Sequence, residues 1–330
     1  MINKYKIYFL GSDNLFSSNI LNFLYYNDFK QFDFIGAGIK KIDCISRSNN
    51  KKNKFLKEKY INIKFHILNE NNEEDLINIL NDLQPKIIIT ASFGYILSKK
   101  ILNLPFINFF INIHGSILPK YRGASPITNC ILNNDKNTGI SFVEINKNGI
   151  DTGKIYKTYN IDLDGTEKKL ELEKKLAILA ENNMEKTLYE ILENKITPRE
   201  QNKYISDYTN KIKKIDGLID WDDNASLIER KYRAYYDWPK IYFYMYNKNN
   251  NNITKIIITE LEVIDDIKDI FAINNTPKSI LIEKNNMIVT CGNYTGISIK
   301  KLIPENKNEM NISDFLSGLK IIDSKILEIK

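Results

Sequence analysis

The chain has 330 residues, which is too long for one ordinary domain and suits two. Hydrophobic residues make up 43% of it, enough to build real cores, so global disorder is excluded. Lysine and arginine outnumber aspartate and glutamate by 47 to 41, and the net charge of +6 permits a polyanionic partner without requiring one.

Short strand-like runs alternate with helical patterns in the first half of the chain. The strand-like runs are Lys6–Leu10, Phe32–Ile35, Ile63–Ile67, Ile87–Thr90, Phe109–Ile113 and Ser141–Ile145. Helical patterns such as Leu15–Tyr26 and Glu73–Leu83 lie between them. This alternation predicts a Rossmann-like α/β domain with a mostly parallel sheet covered on both faces. In such sheets, ligands bind beyond the carboxyl ends of the strands.

One apolar stripe predicts a single long helix over residues 166–194. The stripe consists of Leu172, Leu176, Leu179, Met184, Leu188 and Ile191. Pro198 follows as a stop signal, and the polar segment after it has the composition of a linker. We therefore predict a first domain over residues 1–196 and a linker over residues 197–208.

The sequence pattern changes from Trp221 onward. A short helical pattern, Ala225–Tyr235, precedes several strand-like runs separated by polar turns. These runs are Ile241–Met245, Ile253–Leu261, Ser279–Ile282, Met287–Thr290 and Gly296–Leu302. Many short strands spaced in this way indicate a small β-barrel or sandwich, and we favour an OB-like barrel over residues 209–330.

The spacing of the cysteines and the length of the apolar runs indicate in which cellular compartment the protein works. Cys44, Cys130 and Cys291 are widely separated and form no CxxC pair, which argues against a zinc site or a disulfide framework. No apolar run is long enough to span a bilayer, and the first residues lead directly into a strand-like run. We expect a cytoplasmic monomer with no metal and no membrane partner.

The strongest chemical signal begins at the end of the run Phe109–Ile113. Residues i and i+2 of a strand point the same way, so Asn112 and His114 would project together at its carboxyl end. The only other histidine, His66, lies in an apolar run, where we expect a hydrogen-bonded structural residue. For His114 the structural alternative is a histidine that anchors the following loop.

A second turn, Asn148–Gly153, follows the run Ser141–Ile145, and we place it at a strand's carboxyl end as well. Its flanking glycines let the backbone bring Asp151 close to a neighbouring group. Taken alone, this is a common turn. Beside Asn112 and His114 it completes a group made of an amide, an imidazole and a carboxylate.

These three residue types suit transfer of an acyl group to an amine. The carbonyl oxygen becomes negative in the tetrahedral intermediate, and the Asn112 amide and the His114 ring can donate hydrogen bonds to it. The amine must lose a proton, which Asp151 can accept directly or through water. Neither a covalent intermediate nor a metal is required, and alignment of the reactants supplies much of the remaining rate.

The stretch NIHGSILPKYRGASPI, followed by GIDTG, resembles the folate-dependent formyltransferases. Their hallmark is an Asn-x-His, a Ser-Leu-Leu-Pro-like segment, a Tyr-Arg-Gly and a later Asp-Thr-Gly. The resemblance implies that Asn112, His114 and Asp151 are catalytic and that 10-formyltetrahydrofolate is the formyl donor. It also implies a folate slot lined by Phe93, Gly94, Tyr95, Ile96, Leu97, Ser116, Leu118 and Pro119. The structural alternative for residues 91–97 is a turn that begins a helix.

The second half of the chain resembles the tail of methionyl-tRNA formyltransferases, for example at Ile219-Asp220-Trp221 and Trp238-Pro239. That resemblance implies formyl transfer to initiator methionyl-tRNA for translation initiation, with the small barrel helping to hold the tRNA acceptor end. The candidate tRNA contacts are Arg47, Lys51, Lys52, Lys211, Arg230 and Arg233. Solvated charges, or an arginine paired with Asp220 or Glu229, are an equally weighted alternative.

Two features depart from the family pattern. The basic loop at residues 39–54 lacks the usual Pro-Asp-Arg-Pro and Gly-Arg-Gly sequences. Asn146 stands where the family has an aspartate, and Asn148 adds one residue to the turn before Asp151. The first departure bears on the contacts of the loop, and the second bears on the shape of the turn.

Three other functions remain open at this stage. The same three residues could serve a formyltransferase acting on a nucleotide-linked amino sugar, although the basic loop and the segment 221–239 argue against it. A glycinamide ribonucleotide formyltransferase would lack the second domain. A catalytically decayed tRNA-binding protein would not need all three residues to be retained.

Overall fold

The computed structural model describes residues 4–40, 58–68, 73–202, 207–248, 251–267, 276–283, 286–319 and 327–329. The chain divides into two compact units. Unit 1 consists of residues 1–130, 136–163 and 170–211, and unit 2 consists of residues 131–135, 164–169 and 212–330. No helix in these described ranges is long and apolar enough to cross a membrane.

Unit 1 is built on a seven-stranded sheet. The strands in the first part of the chain are β1 (Tyr5–Gly11), β2 (Phe32–Lys40), β3 (Lys64–Leu68), β4 (Ile87–Ala91), β5 (Phe109–His114), β6 (Arg122–Gly123), β7 (Asn137–Glu144), β8 (Ile155–Asp162) and β9 (Tyr208–Thr209). The sheet order is β3-β2-β1-β4-β5-β7-β8, while β6 and β9 pair separately. Strands β1 to β5 pair with one another in parallel, so the predicted mostly parallel α/β sheet is confirmed.

Helices lie between these strands, as the alternating pattern predicts. The helices of this part of the chain are α1 (Leu15–Tyr26), α2 (Glu73–Leu83), α3 (Lys99–Leu102), α4 (Pro126–Leu132) and α5 (Lys169–Leu192). The central strands β1 and β4 are almost entirely buried, which explains their continuous apolar sequence, because a parallel sheet is covered on both faces. The α5 helix lies within the predicted range of 166–194 and buries Leu172, Leu176, Met184, Leu188 and Ile191.

The run Ser141–Ile145 belongs to β7, but its direction differs from our expectation. Strand β7 runs antiparallel to β5, with His114 opposite Ser141 and Ile111 opposite Glu144. Its carboxyl end therefore points toward the amino ends of the parallel strands. The placement of the 148–153 turn at a carboxyl end shared with β5 was wrong, because an antiparallel strand delivers its following turn to the other edge.

Described residues near both ends of the segment predicted as a linker, 197–208, pair with strands of unit 1. Arg199 forms a backbone bridge with Ile155, and β9 pairs with β6. The polar sequence gave the appearance of a linker because its backbone, and not an apolar stripe, makes the contacts. The first unit therefore continues to Lys211.

Unit 2 contains an antiparallel, barrel-like sheet, which confirms the predicted β-rich second domain. Its strands are β10 (Tyr242–Asn247), β11 (Asn252–Ile264), β12 (Ile280–Glu283), β13 (Asn286–Thr290), β14 (Gly296–Pro304), β15 (Met310–Asn311) and β16 (Leu327–Ile329), with helices α6 (Ala225–Ala234) and α7 (Ile312–Leu319). Trp221 is 1% exposed and meets the Phe243 ring edge-on at 5.4 Å. This buried aromatic pair joins the segment before α6 to the sheet.

The burial of β4 makes a direct stability prediction. Ile89 is fully buried in the centre of the sheet, so Ile89→Ala should lower the free energy of unfolding by about 2–5 kcal/mol. Ile178 is 44% exposed on α5, and Ile178→Ala should change stability by no more than about 0.5 kcal/mol. Thermal denaturation followed by circular dichroism measures both variants. Equal losses in the two variants would contradict the burial pattern.

Candidate active site

The site begins with two neighbouring strands, β4 and β5. Thr90 of β4 lies opposite Asn112 of β5, and the Thr90 hydroxyl lies 2.8 Å from Asn112 Oδ1. The Asn112 Nδ2 donates to Asp151 Oδ1 at 2.8 Å. A carboxylate accepts hydrogen bonds only, so the amide must turn its nitrogen to Asp151 and its oxygen to Thr90. Asp151 thereby fixes the orientation of the Asn112 amide, and the Thr90 hydroxyl donates to the amide oxygen.

Asp151 is held by several groups at once. Its Oδ1 accepts from Asn112, and its Oδ2 accepts from the Gly123 backbone N–H at 2.9 Å. The same Oδ2 lies 3.4 Å from His114 Nδ1. Asp151 adopts a positive φ of 53°, a conformation that non-glycine residues keep only where their surroundings determine it. The structure thus brings the Asn112 amide and the His114 imidazole into contact with the Asp151 carboxylate.

His114 is buried, with its side chain only 5% exposed. Its Nε2 lies 2.8 Å from the carbonyl oxygen of Tyr121. Because a carbonyl only accepts, Nε2 carries a hydrogen, and Nδ1 is left to face Asp151. That second contact is attractive when a proton lies between the ring and the carboxylate. Both ring nitrogens of His114 therefore face oxygen atoms of the protein.

The contacts of His114 bear on the prediction that both Asn112 and His114 donate hydrogen bonds to the negative oxygen of the intermediate. Both nitrogens of His114 face protein groups, so the ring does not offer a hydrogen to a substrate in this conformation. Asn112 Nδ2 has a second hydrogen, which meets no acceptor in the part of the chain that the structure describes. Of these two side chains, Asn112 therefore keeps a hydrogen that could be offered to a substrate oxygen, whereas both ring nitrogens of His114 face protein groups.

The turn that carries Asp151 is fitted tightly against β7. Residues 145–154 fold back from the end of β7, and Glu144 N donates to Lys154 O at 2.9 Å. A Cβ on Gly153 would lie 1.9 Å from the Glu144 carbonyl oxygen, so only glycine fits. This close approach returns Asp151 to the level of Asn112 and His114, although β7 itself runs the other way.

Four groups that support the site were not predicted from the sequence. They are the Thr90 hydroxyl, the Tyr121 carbonyl, the Gly123 amide and the Gln201 side chain, which donates to the carbonyls of Asp151 and Gly153. Thr90 could have been found from its position at the end of a strand next to β5. Nothing in the polar segment around Gln201 signalled its contact with the site.

The loop after His114 is held by its own hydrogen bonds. The Ser116 hydroxyl donates to Lys120 O at 2.6 Å, and Ser141 Oγ bonds both Ser116 O and Leu118 N. Leu118 is buried in a cluster with Val143 and Ile155. The Ser116 and Leu118 side chains are therefore held by contacts within unit 1, and their place in a folate slot remains a prediction. Pro119, which is half-buried, remains a candidate.

The predicted folate segment at residues 91–97 divides into two groups. Phe93 and Leu97 are buried in the core of unit 1, whereas Ile96 is 80% exposed. These three side chains therefore differ in exposure, and the prediction that their segment lines a folate slot remains a prediction. Gly94 and Tyr95 remain accessible, and Lys40 Nζ lies 4.6 Å from the Tyr95 ring centre.

That segment also begins a helix, and His66 is structural. Ser98 Oγ accepts from Lys100 N and Ile101 N at the start of α3, which confirms the helix-start alternative. His66 Nδ1 lies 3.0 Å from the hydroxyl of Tyr8. Burial raises the pKa of Tyr8 far above its ordinary value, so the phenol keeps its proton for this contact. The expected structural role of His66 is confirmed.

The candidate tRNA contacts have different environments. Arg47, Lys51 and Lys52 lie outside the described residues. Lys211 is exposed, and Arg230 is half-buried. Arg233 is 6% exposed, its Nε donates to Glu229 at 2.7 Å, and its Nη1 donates to Glu167 O at 3.2 Å. The prediction of a tRNA contact is corrected for Arg233, because its guanidinium is buried and donates hydrogen bonds within unit 2.

Metal ligation has no visible basis in this site. Across the ranges that the structure describes, no three His, Cys, Asp or Glu side chains are grouped closely enough to hold an ion. Asp151 instead accepts hydrogen bonds from an amide side chain and a backbone N–H.

Comparison with known proteins gives consistent matches in both units. The family described as "Formyl transferase" matches residues 38–188, and "Formyl transferase, C-terminal domain" matches residues 211–320. A methionyl-tRNA formyltransferase from Finegoldia magna is 30% identical over 323 residues, covering 96% of this chain and 97% of the relative. A methionyl-tRNA formyltransferase from Campylobacter lari is 34% identical, covering 82% of this chain and 83% of the relative.

Solved structures share the fold at lower identity. An N-formyltransferase from Helicobacter canadensis, solved with folinic acid and dTDP-3-aminofucose, has a TM-score of 0.58 at 20% identity, covering 89% of this chain and 98% of that chain. A methionyl-tRNA formyltransferase from Clostridium thermocellum has a TM-score of 0.52 at 20% identity, covering 78% and 93%. By fold and by family match, the chain is a formyltransferase. Its full-length similarity to the Finegoldia protein places it more narrowly, and it belongs to the methionyl-tRNA formyltransferase family.

The packing of the Asp151 turn predicts opposite effects of two glycine substitutions. Gly153→Ala would force its new methyl group into the Glu144 carbonyl and should lower stability by about 1–3 kcal/mol. Gly318 of α7 has open space around it, and Gly318→Ala should raise stability by about 0.5–1 kcal/mol through helix propensity. Melting temperatures measure both. An unchanged melting temperature for Gly153→Ala would contradict the described packing of the turn.

Proposed function

We propose that this chain transfers a formyl group from 10-formyltetrahydrofolate to the amino group of initiator methionyl-tRNA. The observation that carries the proposal is the convergence of Asn112, His114 and Asp151 in a chain of the methionyl-tRNA formyltransferase family. A buried carboxylate next to an imidazole and an oriented amide suits transfer between two nitrogen atoms. The product is N-formylmethionyl-tRNA, which serves translation initiation.

The proposed reaction follows the charges that develop. The methionyl amine attacks the formyl carbon, so a carbon–nitrogen bond forms and the carbonyl oxygen becomes negative. The second hydrogen of the Asn112 amide stabilises that oxygen. The attacking nitrogen becomes positive and passes a proton to the His114–Asp151 pair, directly or through water. The tetrahedral intermediate then collapses, and the folate nitrogen leaves with its electron pair and takes a proton.

The folate contact surface is proposed from accessible groups only. Gly94 and Tyr95 follow β4 at its carboxyl end, and β4 lies next to β5, which carries Asn112. Exposed backbone at such a strand end is where this class of sheet binds ligands. Ile96 and Pro119 are further candidates because neither is fully buried.

We propose that phosphate groups of the tRNA contact positively charged side chains of this chain. Lys211 and Arg230 are the described candidates, and Arg47, Lys51 and Lys52 are carried as candidates from the sequence. Acting on a nucleotide-linked amino sugar is the other candidate function, favoured by the likeness to the Helicobacter canadensis enzyme. The same assay separates the two functions, because each acceptor gives a distinct formylated product.

One test of the proposed function concerns the choice of acceptor and the three site residues. Purified protein given 10-formyltetrahydrofolate should formylate methionyl-tRNA faster than a dTDP-linked amino sugar. Asn112→Ala, His114→Ala and Asp151→Ala should each lower turnover about 10²–10⁴-fold, because each removes charge stabilisation or proton transfer. His66→Gln is the matched histidine control and should retain turnover. Near-normal turnover of His114→Ala, or preference for the sugar, would refute the proposal.

A second prediction separates a tRNA contact from a structural arginine. Lys211→Gln should weaken tRNA binding and reduce the slope of log affinity against log salt by about 1, while leaving the melting temperature unchanged. Arg233→Gln should lower stability by about 1–3 kcal/mol and leave the salt slope unchanged, because its donors are used by Glu229 and Glu167. The reverse pattern would show that the assignments of Lys211 and Arg233 are exchanged.

A further inference from the structure

Gln201 connects the segment after α5 to the Asp151 turn. Its Nε2 donates to the carbonyl oxygens of both Asp151 and Gly153, each at 2.7 Å. Its Oε1 accepts from Arg122 Nε at 3.0 Å and from Arg122 Nη2 at 2.8 Å. Gln201 is 8% exposed and Arg122 is 4% exposed, so this network is buried.

The four atoms that contact the Gln201 amide, two from Arg122 and two backbone carbonyl oxygens, fix its orientation. Arg122 can only donate and the two carbonyls can only accept, so a flipped Gln201 amide would place like groups together at every contact. A single side chain that offers two hydrogens on one side and an oxygen on the other is required here. Glutamine meets that requirement, whereas glutamate of the same size has no hydrogen to give to the carbonyls.

Arg122 is itself held in place by its own backbone. Arg122 N donates to Asp207 O at 2.9 Å, and Arg122 O accepts from the Thr209 hydroxyl at 3.0 Å. The next residue, Gly123, gives its backbone N–H to Asp151 Oδ2. The two-residue strand β6 thus reaches Asp151 twice, once through Gly123 at the carboxylate and once through Arg122 and Gln201 at the backbone.

These contacts hold Asp151 from both ends. Its carboxylate is bound by Asn112 and Gly123, and its carbonyl is bound by Gln201. We propose that Gln201, oriented by Arg122, is a positioning residue that keeps the Asp151 turn in the conformation required for proton transfer. The proposal rests on the proposed function of Asp151, and it adds a residue from a segment outside the recognised catalytic motif.

The test compares three substitutions in the full chain. Gln201→Glu keeps the size and gives Arg122 a counter-charge, but it turns an oxygen toward two carbonyls. Gln201→Asn keeps the amide but is one methylene too short to reach both sides. Glu200→Gln is the neighbouring control, because Glu200 is exposed and its contact is a surface ion pair with Lys154.

Gln201→Glu should lower kcat about 30- to 100-fold with little change in the KM for the folate donor, because a displaced Asp151 affects the transfer step. Gln201→Asn should fall between Gln201→Glu and the wild type, and Glu200→Gln should match the wild type. In an Asp151→Asn background, Gln201→Glu should lower kcat less than threefold further. Full additivity of the two losses would overturn the proposal, because a residue acting through Asp151 cannot add its effect once Asp151 is gone.

Hydrogen–deuterium exchange gives a readout that does not depend on activity. Peptides covering Gly123 and residues 149–154 should exchange faster in Gln201→Glu than in the wild type, and the Glu200→Gln control should not change. Unchanged exchange in Gln201→Glu would overturn the positioning role even if turnover fell. Conversely, faster exchange in a protein whose wild type does not formylate methionyl-tRNA would retain the positioning of the turn and reject the proposed function.

Discussion

The arrangement of the site depends on the carboxylate of Asp151. It is the one group that contacts Asn112, Gly123 and His114, and it sits on a turn that folds back from an antiparallel strand. Its backbone has a positive φ of 53°, which costs free energy for an aspartate and persists because hydrogen bonds reach both its carboxylate and its carbonyl. Because Asp151 orients the Asn112 amide and faces His114, loss of its position would disturb the oxyanion donor and the proton acceptor together.

Much of the fold was readable from the sequence because burial patterns are local. The alternating apolar runs gave the parallel strands β1 to β5, and the stripe from Leu172 to Ile191 gave α5. The direction of β7 was not readable, because an antiparallel strand buried on both faces has the same apolar sequence as a parallel one. Strand β8 was missed because only its first residue, Ile155, is buried and its sequence, YKTYN within Ile155–Asp162, is largely polar. Pairing partners of such strands are set by tertiary contacts that no short window contains.

The site was predictable to the extent that its residues form a motif. Asn112, His114 and Asp151 were found by strand spacing and by resemblance, and they do converge, although through a turn that approaches from the other edge of the sheet. Gln201 could not be found, since a polar residue in a polar segment carries no pattern of its own. For Phe93 and Leu97 the sequence leaves the role open, because an apolar residue after a strand has the same pattern whether it faces a ligand or the core. A charged residue can be misassigned for a similar reason. The sequence does not reveal that the donors of Arg233 are bound by the Glu229 carboxylate and the Glu167 carbonyl.

The most direct test of the central claim is a crystal structure with a non-transferable analogue of 10-formyltetrahydrofolate bound. We expect the formyl oxygen at about 3 Å from Asn112 Nδ2, with the Asp151 carboxylate on the side from which the amine attacks, within reach of the amine nitrogen directly or through one water. Both contacts should form while the Gly123–Asp151 and Gln201–Asp151 hydrogen bonds persist. A folate bound with its formyl group beyond reach of Asn112 and Asp151, facing a different part of unit 1, would contradict the account.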